Sequence, residues 1–428
     1  MGLPEPRRPW NTHSISRRRE AVFHTITANR AVQPCGSSAD LSAAVDSGRS
    51  VQQARPVTSL SVALYQRADA TLGGLRTSTA VVRSFLEDER GRCPSHREEA
   101  MNTPLFVVLF DVESVGRQVI REVIGTAADI VYLPDVEATA RAEVLRRATV
   151  ILAQNTAQEL TPDELALLHQ VRLLQFYTAG VDFIPLQALP AALPIAANRG
   201  ASAEPMAEHA LALTLAAVKR LFVEHRQLAT GAFNQFTPNR MLAGRVCGLF
   251  GFGGMGVATA RLMRAMGMQI HAINRRGHSA EPTDWIGTPE QLDVLLRAAD
   301  VLVIAAPLTR ATLGRIGARE LALMKEDAIL VNLARGEIIE EGALFAHLQR
   351  HPAYTACLDA WWVEPVRHGT FRMQYPFLEL PNVIGSPHNS ASVGGWHQVA
   401  LRRAAANCRR ALTGEPLQGL IGPDERLQ

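Results

Sequence analysis

Lysine is almost missing from this chain: Lys219 and Lys325 are the two lysines among 44 basic residues, and the rest are arginine. Those 44 bases face 41 acids, a net charge of +3. So even a balance gives no basic face for nucleic acid. Cysteine is scarce too. Cys35, Cys93, Cys247, Cys357 and Cys408 are scattered without a Cys-x-x-Cys pair, which points to no disulfide framework and no metal site, and fits a reducing cytoplasm. The longest apolar stretch, around Ala210–Val218, is too short to span a bilayer and follows Glu208-His209. What is present is ordinary globular composition, 47% hydrophobic and 20% charged, in a chain long enough for two or three domains.

Residues 1–100 differ from the remainder. They hold runs such as Arg17-Arg18-Arg19 and show no sustained period of 2 or 3.6, apart from a weakly helical Leu60–Leu86. Ser16-Arg17-Arg18 faintly matches a twin-arginine signal, but no apolar segment follows, and Glu20, Asp40 and Asp46 interrupt. A disordered extension is expected there, an over-read upstream of the start at Met101, with a targeting or regulatory tail as the alternative.

From Met101 the pattern alternates. Strands are expected at Leu105–Phe110, Asp129–Leu133, Thr149–Leu152 and Leu173–Tyr177. Helices are expected at Val115–Ile124, Ala138–Arg147 and Thr161–Leu168, the last with a Thr161-x-x-Glu164 cap. A long helical pattern fills 203–227. A second series then runs through Val246–Phe250, Gln269–Ile273, Val301–Ala305, Ile329–Leu333, Tyr354–Leu358 and Val383–Ile384, and closes on a helix at Trp396–Leu412. The fold class is α/β: two doubly wound parallel sheets. The expected division is 101–202, completed by 388–428, and 203–387 with its linking helix at 203–227.

Residues 248–256 read Gly-Leu-Phe-Gly-Phe-Gly-Gly-Met-Gly between a strand and a helix at Val257–Met266. In that setting Gly251 permits a tight turn, Gly253 lets the backbone approach a pyrophosphate, and Gly256 lets helix and strand pack closely. Free N–H groups near Gly254 and Met255 then meet phosphate oxygens. The next strand ends at Asn274-Arg275-Arg276. An acid there would bond the adenosine ribose, whereas two arginines suit a 2′-phosphate, so NADP is favoured over NAD.

Four further groups lie at or just past strand ends, where open α/β sheets place ligands: Ala306-Pro307-Leu308-Thr309, Asn332-Leu333-Ala334-Arg335-Gly336, Asp359 with Glu364-Pro365, and Ser386-Pro387-His388. One arginine, one glutamate and one histidine are thus delivered to one rim. An arginine can grip the carboxylate of a 2-oxo acid and polarise its carbonyl. A histidinium can protonate the developing alkoxide, and a carboxylate beside it holds the ring.

With Tyr177-Thr178-Ala179-Gly180-Val181-Asp182 and Met206-Ala207-Glu208-His209-Ala210, these motifs make residues 104–420 resemble the D-isomer-specific 2-hydroxyacid dehydrogenase family. The resemblance implies two Rossmann-like domains with the active site between them, and usually a homodimer built through the cofactor domain. It makes Arg335 the substrate-binding and carbonyl-polarising arginine, Glu364 the partner of the acid–base His388, and Asp359 the residue that orients the nicotinamide carboxamide. Ala179, Gly180 and Val181 line the substrate carboxylate, and Pro307 and Thr312 border the cofactor. A small 2-oxo acid of the glyoxylate or hydroxypyruvate class is the implied substrate. Ala153-Gln154-Asn155-Thr156 stands where phosphoglycerate-specific members tend to carry Arg-Ser, and no room for a regulatory domain follows Leu412. Two other readings are a dinucleotide-sensing co-repressor or binding protein, and oxidation of phosphite by the same three residues. The segment Val366–Tyr375, with Arg367, His368 and Arg372, and Trp361-Trp362 before it, is longer than the resemblance implies and either lines the substrate cleft or lies on the surface, with nothing in the sequence to choose between them.

Overall fold

A computed structural model describes residues 103–422 and Glu425. The extension expected at 1–100 and the start at Met101 lie outside the described residues.

Two all-parallel sheets organise the chain. The first holds β1 (Leu105–Val108), β2 (Asp129–Tyr132), β3 (Ala148–Ala153), β4 (Leu173–Phe176) and β5 (Ile195–Ala196), in the order β2-β1-β3-β4-β5. All of β1 and β4 is buried, as in a parallel sheet covered on both faces. Phe106 and Phe176 have no exposed surface, and burying each such ring contributes roughly 1.5–3 kcal/mol. One face is closed by α1 (Ser114–Ile124), whose Val119, Ile120 and Ile124 recur at helical spacing and are buried.

The same face takes α8 (Trp396–Thr413) from the far end of the chain. Ala400, Leu401, Ala404, Ala405, Cys408 and Ala411 form its buried stripe and join Phe106, Val108 and Ile120 in one cluster. Small residues let the two helices approach: a methyl on Gly116 would crowd the side chains of Val112 and Leu401.

The second sheet holds β6 (Val246–Phe250), β7 (Gln269–Ile273), β8 (Trp285–Gly287), β9 (Val301–Ile304), β10 (Ile329–Asn332), β11 (Thr355–Leu358) and β12 (Val383–Gly385), in the order β12-β11-β10-β9-β6-β7-β8. The chain enters mid-sheet at β6, runs outward to β8, and returns to start the other half at β9. The switch point is therefore the crevice between β6 and β9. In the chain, α3 (Ala203–Val218) and α4 (Leu221–Ala229) come between the two series of strands. α3 packs its alanines with Leu213 and Val218 on Met263, Ile270 and Val331. The helices α2 (Ala138–Arg147), α5 (Gly254–Ala265), α6 (Leu292–Ala298) and α7 (Glu341–Arg350) complete the layers.

Two expected helices differ. The pattern over 203–227 breaks at Lys219-Arg220, where Arg220 takes a left-handed φ of 53° and Lys219 Nζ donates to the Arg240 carbonyl at 2.9 Å. No Gly or Pro marks that break; a tertiary bond makes it. The helix expected at Thr161–Leu168 shrinks to one turn, Pro162–Leu165. Its capping box forms, with Glu164 N donating to Thr161 Oγ1 at 3.2 Å and Thr161 N to Glu164 Oε2 at 2.9 Å. The strands β5 and β8 had no legible pattern, being two and three residues long.

Candidate active site

Because every strand of a sheet is parallel, all the loops after the strands open on one edge. The turn after β6 sits at the switch point. Gly251 has φ +106°, and a methyl there would overlap the Ala305–Ala306 backbone that follows β9. A methyl on Gly256 would overlap the Gly251 carbonyl, so helix and turn touch. Gly253 differs, since a methyl on it would meet no protein atom within 4 Å. Gly253 is also the N-cap of α5, a helix start that no side chain caps and no acid occupies in its first turn. Uncapped N–H groups of Gly254, Met255 and Gly256 beside an open glycine fit a diphosphate.

After β7, Asn274 Oδ1 accepts from Arg276 N at 2.9 Å and Gly277 N at 2.8 Å, so its side chain folds the loop on which Arg275 and Arg276 are exposed. Arg275 Nη1 lies 2.8 Å from Glu425 Oε1. After β9, the Thr312 hydroxyl donates to the Pro307 carbonyl at 2.7 Å and accepts from Thr309 N at 2.8 Å, which shapes the Pro307–Thr312 turn.

Arg335 follows β10. Asn332, fully buried, donates from Nδ2 to the Arg335 carbonyl at 2.8 Å and accepts from Ala334 N at 3.1 Å, so the strand end itself aims the arginine. The guanidinium reaches across to the first sheet. Its Nε donates to Asp182 Oδ1 at 3.1 Å, Nη2 lies 3.0 Å from the same oxygen, and Nη1 donates to the Ala334 carbonyl at 2.8 Å. One hydrogen remains on each terminal nitrogen, the pair that can grip a planar carboxylate. Nη2 stands where a Gly180 side chain would project. Val181 is half-buried and Ala179 exposed in that same loop after β4. Burial alone would raise the Asp182 carboxyl; Arg335 and Arg367 outweigh it and hold it below its usual range.

Glu364 lies on the loop after β11, and His388 follows β12. His388 Nδ1 is 2.8 Å from both Glu364 carboxylate oxygens, and Trp361 N donates to Glu364 Oε1 at 2.7 Å. Burial pushes the Glu364 carboxyl up, but bonds from His388 and Trp361 and the charge of Arg335 hold it below its usual value. His388 itself has φ 51°, a left-handed conformation costing roughly 1–3 kcal/mol that persists only where its surroundings impose it. Those surroundings include Asp359, fully buried, which accepts from Asn389 N and Ser390 N, both at 3.2 Å, and from Ser386 Oγ at 2.6 Å. Gly336 brings the loops together, since a methyl there would overlap the Trp361–Trp362 backbone.

The structure thus gathers Arg335, Glu364 and His388 with the Gly180–Val181 loop. It leaves Asn274–Arg276 at the far end of the glycine turn. Three contributors had no role in the sequence reading. Asp182 stood in a recognised motif, but nothing in one dimension told its partner. His209, in another motif, lies with Nε2 3.0 Å from Ser386 Oγ. Arg367 is the third, with Nε 3.4 Å from Asp182 Oδ2. Trp361 is buried and Trp362 half-buried; their indole N–H groups donate to the Ser386 and Ile339 carbonyls, so both are structural.

Two parallel-sheet domains carrying a dinucleotide turn and an Arg–Glu–His rim define a nicotinamide-dependent oxidoreductase. Residues 211–390 match the family model described as D-isomer specific 2-hydroxyacid dehydrogenase, NAD binding domain. The chain is 30% identical over 245 residues to a hydroxypyruvate reductase of Thermotoga maritima, covering 56% of this chain and 78% of that protein. It is 28% identical to a D-3-phosphoglycerate dehydrogenase of Methanocaldococcus jannaschii, covering 65% of this chain and about half, 53%, of that one. A D-isomer specific 2-hydroxyacid dehydrogenase of Xanthobacter autotrophicus Py2, solved in complex with NADPH and MES, superposes with a TM-score of 0.63 at 22% identity, over 75% or more of either chain (76% here, 99% there), and so shares the fold. The chain belongs to the D-isomer specific 2-hydroxyacid dehydrogenase family, oxidoreductases of the CH–OH group of 2-hydroxy acids that use a nicotinamide dinucleotide. Among the described residues no helix is long and apolar enough to cross a membrane.

Proposed function

We propose that this protein reduces a small 2-oxo acid to the D-2-hydroxy acid with NAD(P)H, with Arg335, Glu364 and His388 as its catalytic set. The observation that carries the reading is the His388–Glu364 pair at 2.8 Å, on the rim that also presents Arg335 beside Gly180. Residues 203–387 are the dinucleotide-binding part; 101–202, completed by 388–428, hold the substrate.

When bound, the dinucleotide supplies the hydride. The two unspent N–H groups of Arg335 grip the substrate carboxylate and polarise the neighbouring carbonyl, and the Gly180 and Val181 N–H groups take the second carboxylate oxygen. His388, its Nδ1 held by Glu364, donates a proton from Nε2 to the carbonyl oxygen as the keto carbon gains hydride. The sum is 2-oxo acid, NAD(P)H and one proton giving 2-hydroxy acid and NAD(P)+. Asp359 orients the nicotinamide carboxamide, its carboxylate held in place by the bonds it accepts from Ser386, Asn389 and Ser390.

NADP is the favoured cofactor, because Asn274 replaces the acid that would repel a 2′-phosphate and Arg276 is exposed beside it, while Arg275 pairs with Glu425. A homodimer is supported by Leu221, Phe222, Leu228, Phe233, Phe236 and Met241, large apolar side chains exposed together on and just after α4. Three described cysteines, all free and buried, suit a reducing compartment such as the cytoplasm.

The test is oxidation of NADPH and NADH against a 2-oxo acid panel. Turnover with glyoxylate or hydroxypyruvate is expected, and His388→Ala should lose about 10²- to 10⁴-fold in kcat while cofactor affinity, read by fluorescence, is kept. Full activity in His388→Ala would show that another group is the acid.

A further inference from the structure

Arg367 is the second arginine of the site. It lies on the turn Pro365–His368, three residues after Glu364, and its side chain is only 14% exposed. Asp182 sits between it and Arg335: Arg367 Nε is 3.4 Å from Asp182 Oδ2, an oxygen that also accepts from Arg335 Nε at 3.2 Å. Its Nη1 is 2.6 Å from Glu337 Oε1. These pairs are close but misaligned. Arg367 Nε and Nη1 and Glu337 Oε2 are all buried polar atoms without a hydrogen-bond partner. Buried donors of a charged group are costly to leave unmet, and a polar cluster half-satisfied beside a binding arginine points to a ligand that completes it.

The charge count says which ligand. The two guanidiniums meet two carboxylates here, Asp182 and Glu337, while Glu364 is taken by the imidazole of His388. A planar monoanion suits a guanidinium fork in such company; a dianion adds repulsion.

We propose that Arg367 is a specificity-determining residue that takes a second, distal carboxylate, so that the preferred substrates are short 2-oxo dicarboxylic acids. The inference rests on the reading of Arg335 as the arginine for the first carboxylate. A distal phosphate would use the same donors and is separated by the test.

With NADPH in excess, kcat/KM is measured for oxaloacetate, for 2-oxobutyrate of the same chain length, and for 3-phosphohydroxypyruvate. Titration calorimetry of the cofactor-loaded protein with D-malate and D-2-hydroxybutyrate reads binding without turnover. The wild type is expected to favour oxaloacetate over 2-oxobutyrate, and D-malate over D-2-hydroxybutyrate, by about ten- to a hundredfold. In Arg367→Gln that ratio should collapse toward one, and in Arg367→Lys it should fall partway, because a point charge replaces a planar fork. A ratio near one in the wild type, an unchanged ratio in Arg367→Gln, or a preference for the phosphate substrate overturns the proposal. If no acid is turned over yet D-malate keeps an Arg367-dependent preference, the reductase reading falls and the distal-carboxylate site stands. If acids turn over with no such preference, the reverse holds.

Discussion

A methyl group on Gly180 would overlap Nη2 of Arg335, so the site depends there on a side chain that is missing. Gly180→Ala forces the guanidinium off Asp182 and away from the Gly180–Val181 N–H groups, while the glycine turn after β6 is untouched. The expected outcome is a rise of at least about tenfold in KM for the 2-oxo acid, from loss of one charged contact, with cofactor affinity unchanged. Equal KM values for the variant and the parent would mean that Arg335 does not hold the substrate from where it lies. The same scale explains Asp182. It spends one edge of Arg335 and leaves the other for ligand, so it orients the arginine without blocking it.

Within an element, neighbouring glycines do different work. Gly251 needs φ +106° and has backbone on its Cβ side, whereas Gly253 has an ordinary φ of −96° and open space. Gly251→Ala should therefore destabilise the protein itself by about 1–3 kcal/mol or more. Gly253→Ala should melt within about 0.5 kcal/mol of the parent without cofactor, yet lose most of the stabilisation that NADPH gives the parent. Thermal melts with and without NADPH check both; a full NADPH shift in Gly253→Ala would place the pyrophosphate elsewhere. Helix α7 gives a second prediction at this scale. Burial holds the His347 imidazole down to about 4, from an ordinary 6.5, and neighbouring His351 and Arg350 push the same way. The folded chain resists a proton that the unfolded chain accepts below 6.5. The stability of the neutral ring is thus present above that pH and is lost as pH falls toward 4. Melting temperature should decline across that window, and less so in His347→Gln. The depressed carboxyls of Asp182 and Glu364, ordinarily at 3.8 and 4.5, add their losses only at the acid end. Identical slopes in both proteins would assign the decline to other groups.

For the whole molecule, the exposed apolar side chains of 221–241 set the expected assembly. Phe236 is 86% exposed and Phe233 76%. Phe233→Glu with Phe236→Glu should shift the mass seen by light scattering from two chains to one; a monomeric parent would remove the dimer from the proposal. How far the molecule could be read in advance depends on the range of each interaction. Buried strands and the glycine turn were legible because period and backbone conformation are local properties. The rim residues Arg335, Glu364 and His388 were legible because they sit at strand ends, and parallel strands send their ends to one edge. The break at Lys219-Arg220 was not legible, because it is made by a bond to Arg240, and β5 and β8 were too short to show a period. By itself the sequence determined the two-sheet α/β class, the dinucleotide turn and the family, because these rest on local patterns and motif order. Only the tertiary structure decided that Asp182 aims Arg335, that Asp359 is buried under the histidine loop, and that Arg367 meets Asp182. Each of those facts is a contact between side chains on separate loops, and one-dimensional spacing carries no information about which loop ends meet.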